Sequence, residues 1–134
     1  MNITFQTVFA VVLTFLVADG LWLGWIRKNF YASEINRIQG SEMKVRLGSA
    51  LVSYILMVVA VVILSIPRVK CETRFRDSVL YGGVLGLVIY GIYNATNYAT
   101  LRKYSLEYFI TDTLWGVFIM ALATYMGSCL TSKK

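Results

Sequence analysis

Four long apolar stretches alternate with short polar connections along the 134-residue chain. They cover about residues 3–26, 47–66, 79–101 and 108–130. Each has the roughly 20 residues that an α-helix needs to cross the ~30 Å hydrocarbon core of a bilayer. None shows the apolar-polar alternation of a barrel strand, and only helices or closed barrels satisfy their backbone groups in lipid. The pattern therefore predicts an all-α integral membrane protein, a four-transmembrane-helix bundle with short loops.

The connections are too short to form a separate domain, so residues 1–134 are predicted to be a single membrane domain. The first stretch lacks the basic start and the cleavage site of a signal peptide, and we expect it to remain in the protein. In the first loop, Tyr31, Ile35 and Ile38 recur near helical spacing. They predict a short helix in the membrane interface, with Ser33 as its cap. Pro67 is expected to end the second span.

Composition agrees with a membrane location. Hydrophobic residues make up 57% of the chain, charged residues 15%, and the mean hydropathy is +0.64. The net charge is +6, but the basic residues flank the spans, where they are expected to contact anionic headgroups rather than nucleic acid. They are divided almost equally between the two sides, so the positive-inside rule gives no orientation. An even number of spans places both termini on one side.

The residue types argue against a metal or haem site. The chain has no His, and Cys71 and Cys129 do not have the spacing of metal ligands. Both cysteines are expected at the same membrane face, as two unrelated thiols, although a disulfide between them remains conceivable. We therefore predict no metal and no cofactor.

Two small-residue motifs are predicted to form helix contacts. Gly20 and Gly24 lie four residues apart in the first span, as do Gly82 and Gly86 in the third. Small side chains at this spacing let another helix approach closely in lipid. The motif does not distinguish a neighbouring helix of the same chain from a second subunit, and we favour packing within the chain.

Acidic residues inside two spans predict a polar centre. Asp19 and Asp112 each lie three residues before a tryptophan, Trp22 or Trp115, and a charge at this depth costs about 3 kcal/mol on insertion scales. At a rise of 1.5 Å per residue, both carboxylates share one leaflet with amides and hydroxyls of the third span. The predicted intramembrane cluster comprises Asp19, Asn94, Thr96, Asn97, Thr100 and Asp112. Its predicted supporting residues are Trp22, Trp115 and Gly116, with Arg102 and Lys103 as counter-ions.

This cluster has two interpretations. It either clamps the helices together by hydrogen bonds, with no catalytic residue, or forms a site for a ligand or reaction. The helical i, i+3 spacing places each indole near the carboxylate of its own motif. Alternatively, Trp22 and Trp115 belong to the interfacial aromatic belt.

Three motifs carry a resemblance to a known family: D-x-L-W-L-G in the first span, Y-[DN]-x-T-N-x-A-T-L in the third and D-x-x-W-G in the fourth. Together they resemble a family of small four-span membrane proteins of bacteria and large algal DNA viruses, classified as a domain of unknown function. The resemblance implies the same fold and no particular reaction. Its shared polar positions would be Asp19, Trp22, Asn94, Thr96, Asn97, Thr100, Asp112, Trp115 and Gly116. Asn94 departs from the family pattern, which usually has Asp there.

Three classes of function remain. We favour a non-catalytic multi-pass membrane protein with a structural or assembly role, which docks onto other proteins or anionic headgroups. The viral branch of the resemblance would make it a virion inner-membrane or minor capsid protein. One alternative is a lipid-modifying enzyme or helper with Asp19 and Asp112 as acid and base. The other is a small proton or cation transporter.

Overall fold

Four long apolar helices and one shorter polar helix form the fold. The computed structural model describes residues 2–131. The long helices are α1 (Phe5–Ile26), α3 (Leu47–Arg68), α4 (Arg74–Thr100) and α5 (Leu106–Cys129), each long and apolar enough to cross a membrane. The shorter helix, α2 (Lys28–Gln39), follows α1 directly. The all-α class and the four predicted spans are confirmed.

The N-terminal end of α1 meets the C-terminal end of α5. Thr4 caps α1 by accepting a hydrogen bond from the Thr7 amide at 3.2 Å. The hydroxyls of Thr4 and Thr7 also donate to the Leu130 carbonyl, at 3.3 and 3.2 Å. The beginning of α1 and the end of α5 therefore lie at the same end of the bundle, as the even number of spans predicts.

The long helices contain wider turns. A π-helical turn ends α1 at Trp22–Ile26, and others lie at Val61–Ser65 in α3 and Ser78–Gly82 in α4. Such turns often occur at functional sites, and the first of them carries Trp22. A 3₁₀ turn over Ile66–Arg68, which contains Pro67, ends α3.

Two predicted helix starts are wrong. The third span begins at Arg74, five residues earlier than expected, because the Asp77 carboxylate accepts bonds from the Lys70 amide at 2.9 Å and the Thr73 hydroxyl at 2.7 Å. These bonds hold the loop that precedes α4 against the first turn of that helix, which carries charged residues. Ser33 does not cap α2. It lies inside that helix, and its hydroxyl donates to the Phe30 carbonyl at 2.9 Å.

Helix α5 is the centre of the bundle, since it packs against the other three spans, most extensively α4 and α1. The apolar core around it consists of Val11, Phe15, Val61, Ile66, Ile119, Met120 and Ala123. A second cluster lies towards α2 and combines three buried tyrosines: Tyr31, Tyr104 and Tyr108. The apolar core fills the middle of the bundle, while the tyrosines lie at the membrane end that carries α2.

Only one of the two glycine motifs packs inside the chain. A Cβ at Gly86 would lie 2.7 Å from the carbonyl carbon of Gly116, and one at Gly82 would lie 2.8 Å from the Ala121 Cα. The predicted internal contact is confirmed for these two residues. The internal-packing interpretation is wrong for Gly20 and Gly24. Both are exposed, with nothing within 4 Å of an added Cβ, because the buried face of α1 is the one that carries Asp19.

Candidate functional site

Asp112 connects three helices at the α2 end of the bundle. It lies in the second turn of α5 and is buried. Its Oδ1 accepts a hydrogen bond from the Tyr31 hydroxyl of α2 at 3.0 Å, and its Oδ2 accepts one from the Asn94 amide of α4 at 2.7 Å. Both partners are neutral donors. The carboxylate is thus held by hydrogen bonds alone, without a basic side chain.

Asn94 is fully buried, and its side-chain nitrogen and oxygen are both hydrogen-bonded. Its amide nitrogen donates to the Tyr90 carbonyl at 2.8 Å as well as to Asp112. Its Oδ1 accepts a bond from the Tyr104 hydroxyl. An amide offers both donors and an acceptor, whereas an ionised carboxylate only accepts. The Asn at this position therefore gives Asp112 a donor that an ionised Asp would lack.

Asp19 forms a second connection, between α1, α3 and α5. It is also buried. Its Oδ1 accepts a bond from the Trp115 indole and its Oδ2 one from the Tyr54 hydroxyl, both at 2.8 Å. All four carboxylate oxygens of the two aspartates therefore have a donor from the protein itself.

The two aspartates are linked through their tryptophans. The rings of Trp22 and Trp115 stack with centroids 4.5 Å apart and planes 4° from parallel. Trp22 donates to the Tyr31 hydroxyl at 3.2 Å, and Tyr31 in turn donates to Asp112. Each indole therefore serves the aspartate of the other motif, Trp22 through Tyr31 and Trp115 directly. The spacing predicts that each indole lies near the carboxylate of its own motif, and the structure adds that the hydrogen bonds of the two indoles lead to the other motif.

Several predicted members of the cluster lie outside it. Thr96 and Thr100 are exposed, and the Thr100 hydroxyl donates to the Thr96 carbonyl at 2.9 Å. At 3.6 residues per turn, positions 96 and 100 point well away from the face of Asn94, whereas position 97 lies nearer to it. Asn97 is accordingly half-buried beside Tyr93 and Tyr104.

Arg102 and Lys103 are not counter-ions of the aspartates. Both are exposed. Within residues 2–131 the ion pairs are Arg27 with Glu107 and Arg37 with Glu34, neither of which involves a buried aspartate. The two cations lie in the turn between α4 and α5, at the level of the headgroups, rather than in the bundle. Gly116, by contrast, lies against the Tyr90 ring with no room for a Cβ.

The donors that complete the site are tyrosines that were not predicted as site residues. Tyr31, Tyr54 and Tyr104 supply three of its hydrogen bonds. Tyr31 lies outside the spans, where burial and then the charge of Asp112 raise the pKa of its hydroxyl, so it remains a proton donor at neutral pH. The only sequence signal was a phenolic hydroxyl within or beside an apolar stretch, which does not identify its partner.

The part of the chain described here contains no group of three or more His, Cys, Asp or Glu side chains arranged to bind a metal ion. The arrangement that it does contain can hold helices in register, and it can position the polar end of a lipid-soluble molecule. It joins all five helices through two carboxylates.

Comparison with known proteins identifies one family. The model of a family described as "Predicted membrane protein (DUF2177)" matches residues 4–129. This range includes both aspartates, both stacked tryptophans and Asn94. No curated protein and no solved structure matches the chain significantly.

Proposed function

We infer, from the premise that the chain belongs to the DUF2177 family of predicted membrane proteins, that it is a non-catalytic multi-pass protein with a structural or assembly role. In this proposal buried Asp112 fixes the interfacial helix α2 to the bundle, and Asp19 holds α1, α3 and α5 together. The polar surface at that end then docks onto anionic headgroups or other proteins. The observation that carries the proposal is the bond from Tyr31 of α2 to Asp112 of α5.

The hydrogen bonding of the carboxylates favours a structural clamp rather than a catalytic acid-base pair. Each oxygen of Asp19 and Asp112 already accepts a bond from the protein. A general base must reach the proton of its substrate within hydrogen-bond distance. Here the phenols, the indole and the amide of the protein occupy one acceptor position on each carboxylate oxygen. The contacts therefore account for both buried charges without a substrate or a transported ion.

The surface that this clamp positions is basic. Lys28 and Arg37 are exposed on α2, and Lys44 and Arg46 follow it in an exposed segment. Arg102 and Lys103 lie in the nearby turn between α4 and α5. Each basic side chain near an anionic membrane surface contributes about 1 kcal/mol of attraction. Such a surface suits lipid headgroups or an acidic region of another protein, and nucleic acid is not part of the proposal.

The virion inner-membrane or minor capsid role is a narrower form of this proposal. It rests on the resemblance to viral members of the family, with the basic surface tying a protein shell to the bilayer. Its test is whether purified particles contain the protein in a fixed contact with shell proteins. A protein confined to host membranes would contradict it.

Two substitutions test the clamp. Asp112→Asn keeps the side-chain shape but replaces the charged acceptor, and Tyr31→Phe removes the hydroxyl that donates to Asp112 and accepts from Trp22. In nanodiscs, we expect either change to raise the hydrogen-exchange rate of α2 amides about three-fold or more, because one such bond in a membrane contributes about 0.6 kcal/mol. Glu72→Gln is the matched control, since Glu72 is exposed in the loop at the opposite end of the bundle. Its α2 exchange should be unchanged.

The same variants distinguish the other classes of function. Folded Asp112→Asn protein with unchanged α2 exchange, combined with loss of a lipid product from host membranes, would replace the proposal with an enzyme. The same protein with loss of proton or cation flux into liposomes would replace it with a transporter.

A further inference from the structure

An apolar groove runs along the lipid-facing surface between α1 and α5. Its volume is about 530 Å³, within the ~300–1,000 Å³ range of ligand sites. Helix α1 contributes Leu13, Val17 and Ile26 to its walls, and α5 contributes Phe118 and Met126. The stacked Trp22 and Trp115 also line it. The groove therefore reaches the aromatic pair that joins the two aspartates.

The dimensions of the groove match one leaflet of a bilayer. From Leu13 to Ile26 the chain advances 13 residues, or about 20 Å along the helix axis. Half of the hydrocarbon core is about 15 Å. The groove thus begins near the membrane face that carries α2 and extends to about the bilayer midplane, which is the depth occupied by one acyl chain.

A cation lies beside the end of the groove that Trp22 and Ile26 line. Arg27 follows Ile26 directly, and its guanidinium carbon lies 4.4 Å from the centroid of the Phe30 ring and 5.9 Å from that of Trp22. Its Nε is buried and has no hydrogen-bond partner within residues 2–131. Its ion pair with the largely exposed Glu107 is 4.0 Å long, and exposed pairs of this kind contribute little. The aromatic rings thus position Arg27 while much of its hydrogen-bonding capacity remains unused.

We propose that this groove binds one anionic glycerophospholipid, with an acyl chain against α1 and α5 and its phosphate on Arg27. Guanidinium groups bind phosphate oxygens through charge-assisted, often bidentate hydrogen bonds. An apolar groove with a single cation beside one end complements one acyl chain of a lipid and its anionic headgroup, while the second acyl chain of the glycerophospholipid lies in the surrounding bilayer. The proposal does not depend on the clamp, because Arg27 and the groove residues Leu13, Val17 and Ile26 form no hydrogen bond to an aspartate within residues 2–131.

The intrinsic tryptophans allow a direct test. Trp22 and Trp115 line the groove, whereas Trp25 is 77% exposed and would report bulk lipid. The experiment uses the full chain with Trp25→Phe, in phosphatidylcholine liposomes that contain increasing fractions of phosphatidylglycerol brominated on its acyl chains. We expect fluorescence quenching to saturate at a low fraction of brominated phosphatidylglycerol. Brominated phosphatidylcholine should need about ten times more lipid for the same quenching.

Two pairs of variants separate the parts of the site. Arg27→Gln should remove most of the preference for phosphatidylglycerol, while Lys70→Gln, which removes an exposed cation at the opposite end of the bundle, should retain it. Val17→Phe fills the groove and should weaken saturable quenching by either lipid. Leu16→Phe places the same aromatic side chain at a similarly exposed position outside the groove, and it should have no such effect.

Three results would overturn the proposal. The first is an unchanged lipid preference in folded Arg27→Gln protein. The second is equal quenching in the Val17→Phe and Leu16→Phe variants. The third is quenching that disappears as the protein-to-lipid ratio rises, together with crosslinking between two α1 helices, which would show that a second copy of the chain covers the groove.

Discussion

Replacing Asn94 with leucine is a direct test of the buried polar network. Leucine has the same branched shape and the same number of non-hydrogen atoms and suits a membrane interior, so Asn94→Leu removes the hydrogen bonds without leaving a cavity. The substitution breaks the bonds to Asp112 and to the Tyr90 carbonyl, and the bond from Tyr104. The Tyr90 carbonyl is also the helical acceptor for the backbone amide of residue 94. Two groups are then left unpaired, the Asp112 Oδ2 and the Tyr104 hydroxyl.

The expected loss of unfolding free energy follows from these bonds. Three interhelical or side-chain bonds at the membrane average of about 0.6 kcal/mol each give a lower value near 2 kcal/mol. Leaving a buried donor or acceptor unsatisfied costs about 1–3 kcal/mol, and more for a charged group. We therefore expect Asn94→Leu to destabilise the protein by about 2–4 kcal/mol.

Asn97→Leu is the matched control, since Asn97 lies three residues further along the same helix but is only half-buried. We expect it to cost less than about 1 kcal/mol, in keeping with one membrane hydrogen bond. The measurement is reversible unfolding in mixed micelles by titration with sodium dodecyl sulfate, followed by circular dichroism. Near wild-type stability of Asn94→Leu, or equal losses in the two variants, would refute the reasoning that Asn94 is the centre of the network.

Two further tests use the same unfolding assay. Gly86→Ala should destabilise the protein by about 1–3 kcal/mol or more, because its Cβ would overlap the backbone at Gly116. The control is Gly20→Ala, whose unfolding free energy should stay within about 0.5 kcal/mol of the wild type because Gly20 is at an open position. Equal costs would mean that the α4–α5 contact is less close than described. Asn94→Asp places two carboxylates at the 2.7 Å distance of the present bond to Asp112, so its stability should fall as the pH rises and both become charged. A pH dependence equal to that of the wild type would contradict this repulsion.

The predicted positions along the membrane normal agree with the structure. The four spans begin and end within a few residues of the predicted positions, apart from the early start of α4 at Arg74. Asp19, Asn94 and Asp112 are buried in the bundle, as the cost of polar groups in lipid requires. Depth follows from a constant helical rise, so counting residues from the end of a span is sufficient to estimate it.

The prediction of which residues surround these three in the bundle was less accurate. Thr96, Thr100, Arg102 and Lys103 were assigned to the cluster by depth but face outward. Three tyrosines that donate to the site were not assigned to it. Depth does not specify the direction of a side chain around its helix, nor which neighbouring helix it meets. That direction depends on the helix contacts, such as the one that Gly86 and Gly116 permit.

The sequence by itself determined that this chain has four apolar helices, both termini on one side and two acidic groups too costly to leave in lipid. These properties depend on local composition and on the fixed rise of a helix. Only the tertiary structure decided that the tryptophan of each motif serves the aspartate of the other, and that α2 supplies Tyr31 to Asp112. The physical reason is that such pairings depend on helix rotation and packing between residues as far apart as 19 and 115, which no local pattern encodes.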